Sequence, residues 1–106
     1  MTVNYKDKQI ELKFTFNSFR YMQDFDVQDL ERVQTKIFMM IGLSRDMLMG
    51  ALNKEPYEKY TYEQVDEILE PYVESGEILQ LFGDLSELLM ESSFFTSLRA
   101  LGEQAV

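Results

Sequence analysis

Carboxylates are the side chains best able to do chemistry in this chain: 19 Asp and Glu residues stand among 106, with no histidine and no cysteine. The missing residue types remove the usual general base, the thiolate nucleophile and the common zinc ligands. A carboxylate pair can still act as acid and base if burial or a like charge drives the two pKa values apart. No acid in this sequence is embedded in an apolar stretch that would raise its pKa, and with so many acids almost any pairing can be drawn. Acids such as Asp66 and Glu67 follow helical rather than calcium-loop positions, and there is no glycine-rich phosphate loop. The expectation is a protein without catalytic residues, cofactor or metal, whose function is binding.

The charge is unevenly spread. Residues 1–20 carry four basic and two acidic side chains, residues 21–106 six and seventeen, for a net −9 overall. Such an acidic body repels phosphate, so nucleic acid is not expected as a partner, whereas a basic or apolar protein surface suits it. The same charge also serves solubility alone. Lack of cysteine agrees with a reducing compartment. Met1 to Arg20 lacks the long apolar run of a secretory signal, and no apolar stretch approaches membrane-span length. A cytosolic location is expected.

Two sets of residues could form a binding surface. Met39, Met40, Met47 and Met49 fall within eleven residues, and methionine is flexible and polarizable enough to suit imprecise partners. Ordinary core packing is the stronger account of them, since a domain of this size needs one fully buried helix. Phe94, Phe95, Leu98 and Leu101 form an apolar patch near the chain end, placed either to dock on a neighbouring molecule or to fold back on their own domain.

These candidates must be positioned by one domain spanning 1–106, of mainly α (α+β) class: a short hairpin over 1–16, about five helices packed as a small bundle over 17–98, and a frayed tail over 99–106. Val3, Tyr5, Ile10, Leu12 and Phe14 alternate with polar residues around Lys6-Asp7-Lys8, which reads as a hairpin with one buried face. Asn17 or Ser18 then caps a helix carrying Phe19, Met22 and Phe25 and ending near Asp26. Asp26 and Asp29 open a second brief helix with Val27, Leu30 and Val33 on one face. Lys36–Asn53 is apolar nearly all round, as one helix or, if Ser44 is a cap, two; Gly50, Asn53 and Pro56 supply the stop. After a polar loop anchored by Tyr57 and Tyr60, Thr61 and Gln64 form a capping box ahead of Val65, Ile68, Leu69, Tyr72 and Val73. Pro71 should kink or break that helix and Gly76 ends it. Ile78, Leu81, Phe82, Leu85, Leu88 and Leu89 mark the last amphipathic helix, which Gly83 weakens by about 1 kcal/mol relative to alanine.

Taken in order, four segments resemble the tail assembly chaperones encoded by siphophages and prophages of Gram-positive bacteria. They are Glu11-Leu12-Lys13-Phe14-Thr15-Phe16-Asn17-Ser18-Phe19-Arg20-Tyr21-Met22; Gly50-Ala51-Leu52-Asn53; Tyr62-Glu63-Gln64-Val65 running into Tyr72-Val73-Glu74-Ser75-Gly76; and Glu91-Ser92-Ser93-Phe94-Phe95. The resemblance spans nearly the whole chain, and its weight lies in the order and spacing of motifs that are individually unremarkable. Pro71 departs from the uninterrupted helix expected there. The resemblance implies a protein of the host cytoplasm, absent from the mature virion, that binds the long coiled-coil tape measure protein before the tail tube polymerises. It also implies a homo-oligomer, the tail tube protein as a further partner, and a short form of a pair whose longer member arises by frameshift. The rivals are an acidic decoy that blocks a DNA-binding protein and a structural tail adaptor subunit.

Overall fold

The computed structural model describes residues 1–33, 36–93 and 95–97. It has mainly α architecture with an N-terminal antiparallel hairpin: β1 (Thr2–Tyr5), β2 (Lys8–Glu11), α1 (Phe16–Phe19), α2 (Asp29–Arg32), α3 (Ile37–Leu52), α4 (Tyr62–Ser75) and α5 (Ile78–Glu91). The shortest principal extent is 20 Å, about two helix diameters. The elements therefore form two layers, and each outer helix keeps one face toward solvent.

In the hairpin, Val3 pairs with Ile10 and Tyr5 with Lys8, so the two-residue turn is Lys6-Asp7 and Lys8 already belongs to β2. Both turn residues have positive φ, 46° and 64°, the geometry that matches strand twist in two-residue hairpins. Val3, Ile10, Leu12 and Phe14 are buried on one face, and β1 lies against α4.

Downstream, the expected first helix is cut to one turn. Its N-cap is Thr15, not Asn17 or Ser18. After Phe19 the chain continues in turns closed by i→i−3 bonds, from Met22 N–H to Phe19 O and from Phe25 N–H to Met22 O. The three-residue recurrence of Phe19, Met22 and Phe25 reflects this tighter winding, in which residues i and i+3 eclipse.

α3 is one helix of sixteen residues, contacting α1, α2, α4 and α5. Ser44 starts no new helix; it is fully buried within the turn sequence of α3. Gly50 does not end the helix either. A Cβ there would overlap the Met22 side chain and lie 3.5 Å from the Ser18 carbonyl oxygen, so glycine is what lets the 18–22 segment close onto α3.

The stop is Asn53, which is fully buried with its side chain fully used. Its Nδ2 donates to the carbonyls of Met49 (2.8 Å) and Tyr60 (3.2 Å), and its Oδ1 accepts from Tyr60 N–H at 2.8 Å. Its own carbonyl accepts from Asn17 Nδ2 at 2.8 Å, and Thr15 Oγ1 donates to the next carbonyl, that of Lys54. One asparagine thus ties the end of α3 to the start of α1 and to the loop entering α4.

The Thr61–Gln64 capping box forms as expected and Gly76 closes α4 with φ 81°. α4 is not broken at Pro71, which lies inside it. Both Pro71 and Glu67, four residues earlier, face solvent, so water can satisfy the carbonyl that proline leaves unpaired. Val65, Ile68 and Leu69 of α4 and Ile78, Leu81, Leu85 and Leu89 of α5 join the second half of α3 in the main core. A smaller core of Val33, Met40 and Leu43 sits at the other end of α3, flanked by Phe25, Leu30, Met39 and Phe82.

Candidate partner-binding surface

The methionines lie mostly inside. Met47 is completely buried and Met40 and Met49 nearly so, while Met39 is half-buried against the smaller core. Phe95 is half-buried against the main core. Phe94, Leu98 and Leu101, like the tail 99–106, lie outside the described residues.

Exposed apolar side chains are scattered over the surface, Tyr57, Leu79 and Met90 among them, and two strongly exposed phenylalanines sit toward the two ends of α3. Phe16 is 73% exposed and stacks on the half-exposed Phe19, with ring centroids 6.2 Å apart, close to the Gly50 end. Phe38, 86% exposed, follows Ile37 in the first turn. From Phe38 to Gly50 is twelve residues, about 18 Å along the axis. Sequence reading grouped Phe38 with the side chains that make Lys36–Asn53 apolar nearly all round and assigned Phe16 to neither core nor surface. A signal was available for Phe38, because it lies nearly half a helical turn away from Met40, Leu43 and Met47.

Phe38 begins a stripe on α3 that passes through Gly42 and Arg45 to Met49, at i, i+4, i+7 and i+11. This stripe runs into a cleft of about 420 Å³ lined by residues 20–25, Asp46, Met49 and Tyr62. Tyr21, Phe25 and Tyr62 supply aromatic walls, Met22 and Met49 a buried apolar floor. Arg20, Asp24 and Asp46 supply the charges.

Arg45 stands beside the cleft but is fully engaged. Its guanidinium binds Asp66 through two bonds of 2.7 and 3.1 Å and lies 4.2 Å over the Tyr62 ring; the bond to Asp66 raises its pKa further. Asp46 receives one long hydrogen bond, from the Tyr62 hydroxyl at 3.3 Å. Burial pushes the Asp46 carboxyl above its ordinary value, with the charge of Asp24 adding to the effect and Tyr62 and Arg45 opposing it. Burial, reinforced by Asp46, likewise raises the Tyr62 phenol. The sequence expectation that no acid is embedded where its pKa would rise is therefore corrected at Asp46, the only acid within α3.

Among the described residues no group of three or more acids is arranged to hold a metal ion, and no helix is long and apolar enough to cross a membrane. Comparison of the chain with protein-family models, curated proteins and solved structures finds no match.

Proposed function

We infer that this protein is a bacteriophage tail assembly chaperone. It binds the extended, coiled-coil-rich tape measure protein in the host cytoplasm, keeps it soluble until tail tube subunits replace it, and is absent from the finished virion. The partition of apolar side chains supports this most directly: the core takes in the α3 methionines, while Phe16 and Phe38 stay largely exposed toward the two ends of that helix. A coiled coil lacking its partners exposes long apolar seams, and separated aromatic contacts suit such a ligand. Copies bound along one chain, touching each other as a homo-oligomer, gain avidity from individually weak contacts. The segments that carry the family resemblance also coincide with structural joints: the Asn53 tie between α1 and α3, the Thr61–Gln64 cap of α4 and its Gly76 stop.

One observation favours a second function, an acidic decoy for a DNA-binding protein. Glu63, Glu67, Glu70 and Glu74 are all exposed and fall on one stripe of α4. Their spacing is about 5.5 Å per charge along the helix axis, against roughly 1.7 Å per charge along duplex DNA. A mimic at a third of the charge density is the weaker candidate.

The deciding experiment expresses the tape measure protein of the same phage with and without this chain, then co-purifies in about 0.5 M salt, where screening is much shorter than the roughly 8 Å of physiological solution. Rescue of soluble tape measure protein in a salt-resistant complex is expected. No rescue and no complex would reject the chaperone function, and a salt-sensitive complex with a DNA-binding protein instead would favour the decoy. Retention of the chain in purified particles would indicate a structural tail adaptor.

A further inference from the structure

We propose that the cleft between the 20–25 turns, α3 and the start of α4 receives a cationic side chain, an arginine or lysine, from a helical segment of a protein partner. The aromatic walls of Tyr21 and Phe25 offer π faces and stem-packing surface to a guanidinium or ammonium, beside the Tyr62 ring that already carries the Arg45 guanidinium. Met22 and Met49 form a floor that can adapt to the aliphatic part of the side chain. Asp46 provides the counter-charge. It is half-buried, its one hydrogen bond is long, and the nearest cation, Arg45, is already held by two bonds to Asp66. Neither Asp24 nor Asp46 forms an ion pair with Arg20, the remaining cation of the cleft. Two carboxylates against one unpaired cation leave the cleft acidic, and Asp46, favoured only by the long Tyr62 bond and by the nearby charge of Arg45, has room for a hydrogen-bonded counter-ion of its own.

The α3 stripe sets the spacing of the ligand. Phe38 lies eight residues before Asp46, about 12 Å along the axis. Eight residues also turn about 80° round the axis, so Asp46 lies beside the stripe, and a partner helix crossing α3 from Phe38 toward the cleft meets Phe38 with an apolar residue and places its cation about two turns away. This ligand is argued from the cleft's own chemistry and does not rest on the chaperone function.

The test uses the whole protein, ¹⁵N-labelled, titrated with an alanine-rich helical peptide carrying one leucine and one arginine eight residues apart. The same peptide with glutamine in place of arginine is the control. Saturable amide shifts are expected at Arg20 to Phe25, Asp46 and Tyr62 with the arginine peptide only. Asp46→Asn should weaken binding at least tenfold, while Glu87→Gln on α5, which removes the same charge outside the cleft, should leave it unchanged. Shifts that are absent or scattered over the acidic surface, equal for the two peptides, or equal in Asp46→Asn and Glu87→Gln would overturn the proposal. Because the peptide replaces the natural partner, a negative result here leaves the co-purification result intact, and the reverse.

Discussion

Asn53 and Asp46 stand seven residues apart on the same stretch of chain, and the two polar groups are finished differently. Asn53 is fully buried and has its amide and carbonyl committed to Met49, Tyr60 and Asn17. Asp46 is half-buried beside a cleft with one long bond to Tyr62. A satisfied buried polar group specifies how elements meet, because any other arrangement leaves it unpaired. A charge left short of partners is costly in the free molecule and better served by a ligand. The first site holds the fold together, and the second is available for recognition.

The largest effect should follow from breaking the satisfied site. Asn53→Ala strands the Tyr60 amide and removes two further bonds, and a loss of about 4 kcal/mol is expected from costs of roughly 1–3 kcal/mol per orphaned group. Urea unfolding measures it; a loss under about 1 kcal/mol would mean that water or neighbouring groups replace the amide. Met47→Ala comes next, at about 3 kcal/mol within the usual 2–5 range for core truncation. Its expected signature is lower stability with unchanged partner affinity per folded molecule, separating a core methionine from a contact one.

Asp46→Asn should be the mildest, within about 0.5 kcal/mol of the wild type at neutral pH, with a characteristic pH dependence. The folded pKa of Asp46 is raised, so just above the unfolded value of about 3.8 the folded state holds more protons than the unfolded state. Ionised Asp46 therefore costs stability at neutral pH, and the cost fades as pH falls through the raised pKa toward the unfolded one. Arg20, Asp24 and Tyr62 line the same cleft with Arg45 beside it, and Tyr62, Arg45 and Asp24 shape that titration. Thermal melts should show Asp46→Asn equal to or above the wild type at pH 7, and the asparagine variant should lose ground as pH drops toward 4. A variant less stable at pH 7 that recovers in acid would reverse the sign and place Asp46 among the structural groups.

Most of the fold was legible because its signals are local. Alternation marked the hairpin, the Thr61–Gln64 pair marked the start of α4, and Lys36–Asn53 proved to be the span of α3 with its two caps. The first helix was misread because a period of three fits both an α-helical face and a chain of i→i−3 turns. The hydrogen-bond pattern distinguishes them, and it goes with the close approach of Met22 to Gly50, a tertiary fact. Of the kink or break expected at Pro71 the break did not appear, because Pro71 and Glu67 face solvent and water can replace the lost bond. The candidate surface was less legible. The all-round apolar character of α3 hid which side chains lie outside, since the mid-helix methionines and Phe38 are equally apolar and differ in angle about the axis. Asp46 was missed for a related reason. Its neighbours in sequence, Arg45 and Met47, do not include the residues that bury it, which come from the 20–25 turns and α4.

The most direct measurement of the central claim is tape measure protein retained by a Phe16→Ser, Phe38→Ser double variant in co-purification. Both side chains are largely exposed, so the variant should fold with an unchanged melting temperature, and the account predicts loss of at least nine-tenths of the partner bound by the wild type. Full retention by the folded variant would contradict it and move the binding surface elsewhere on the molecule.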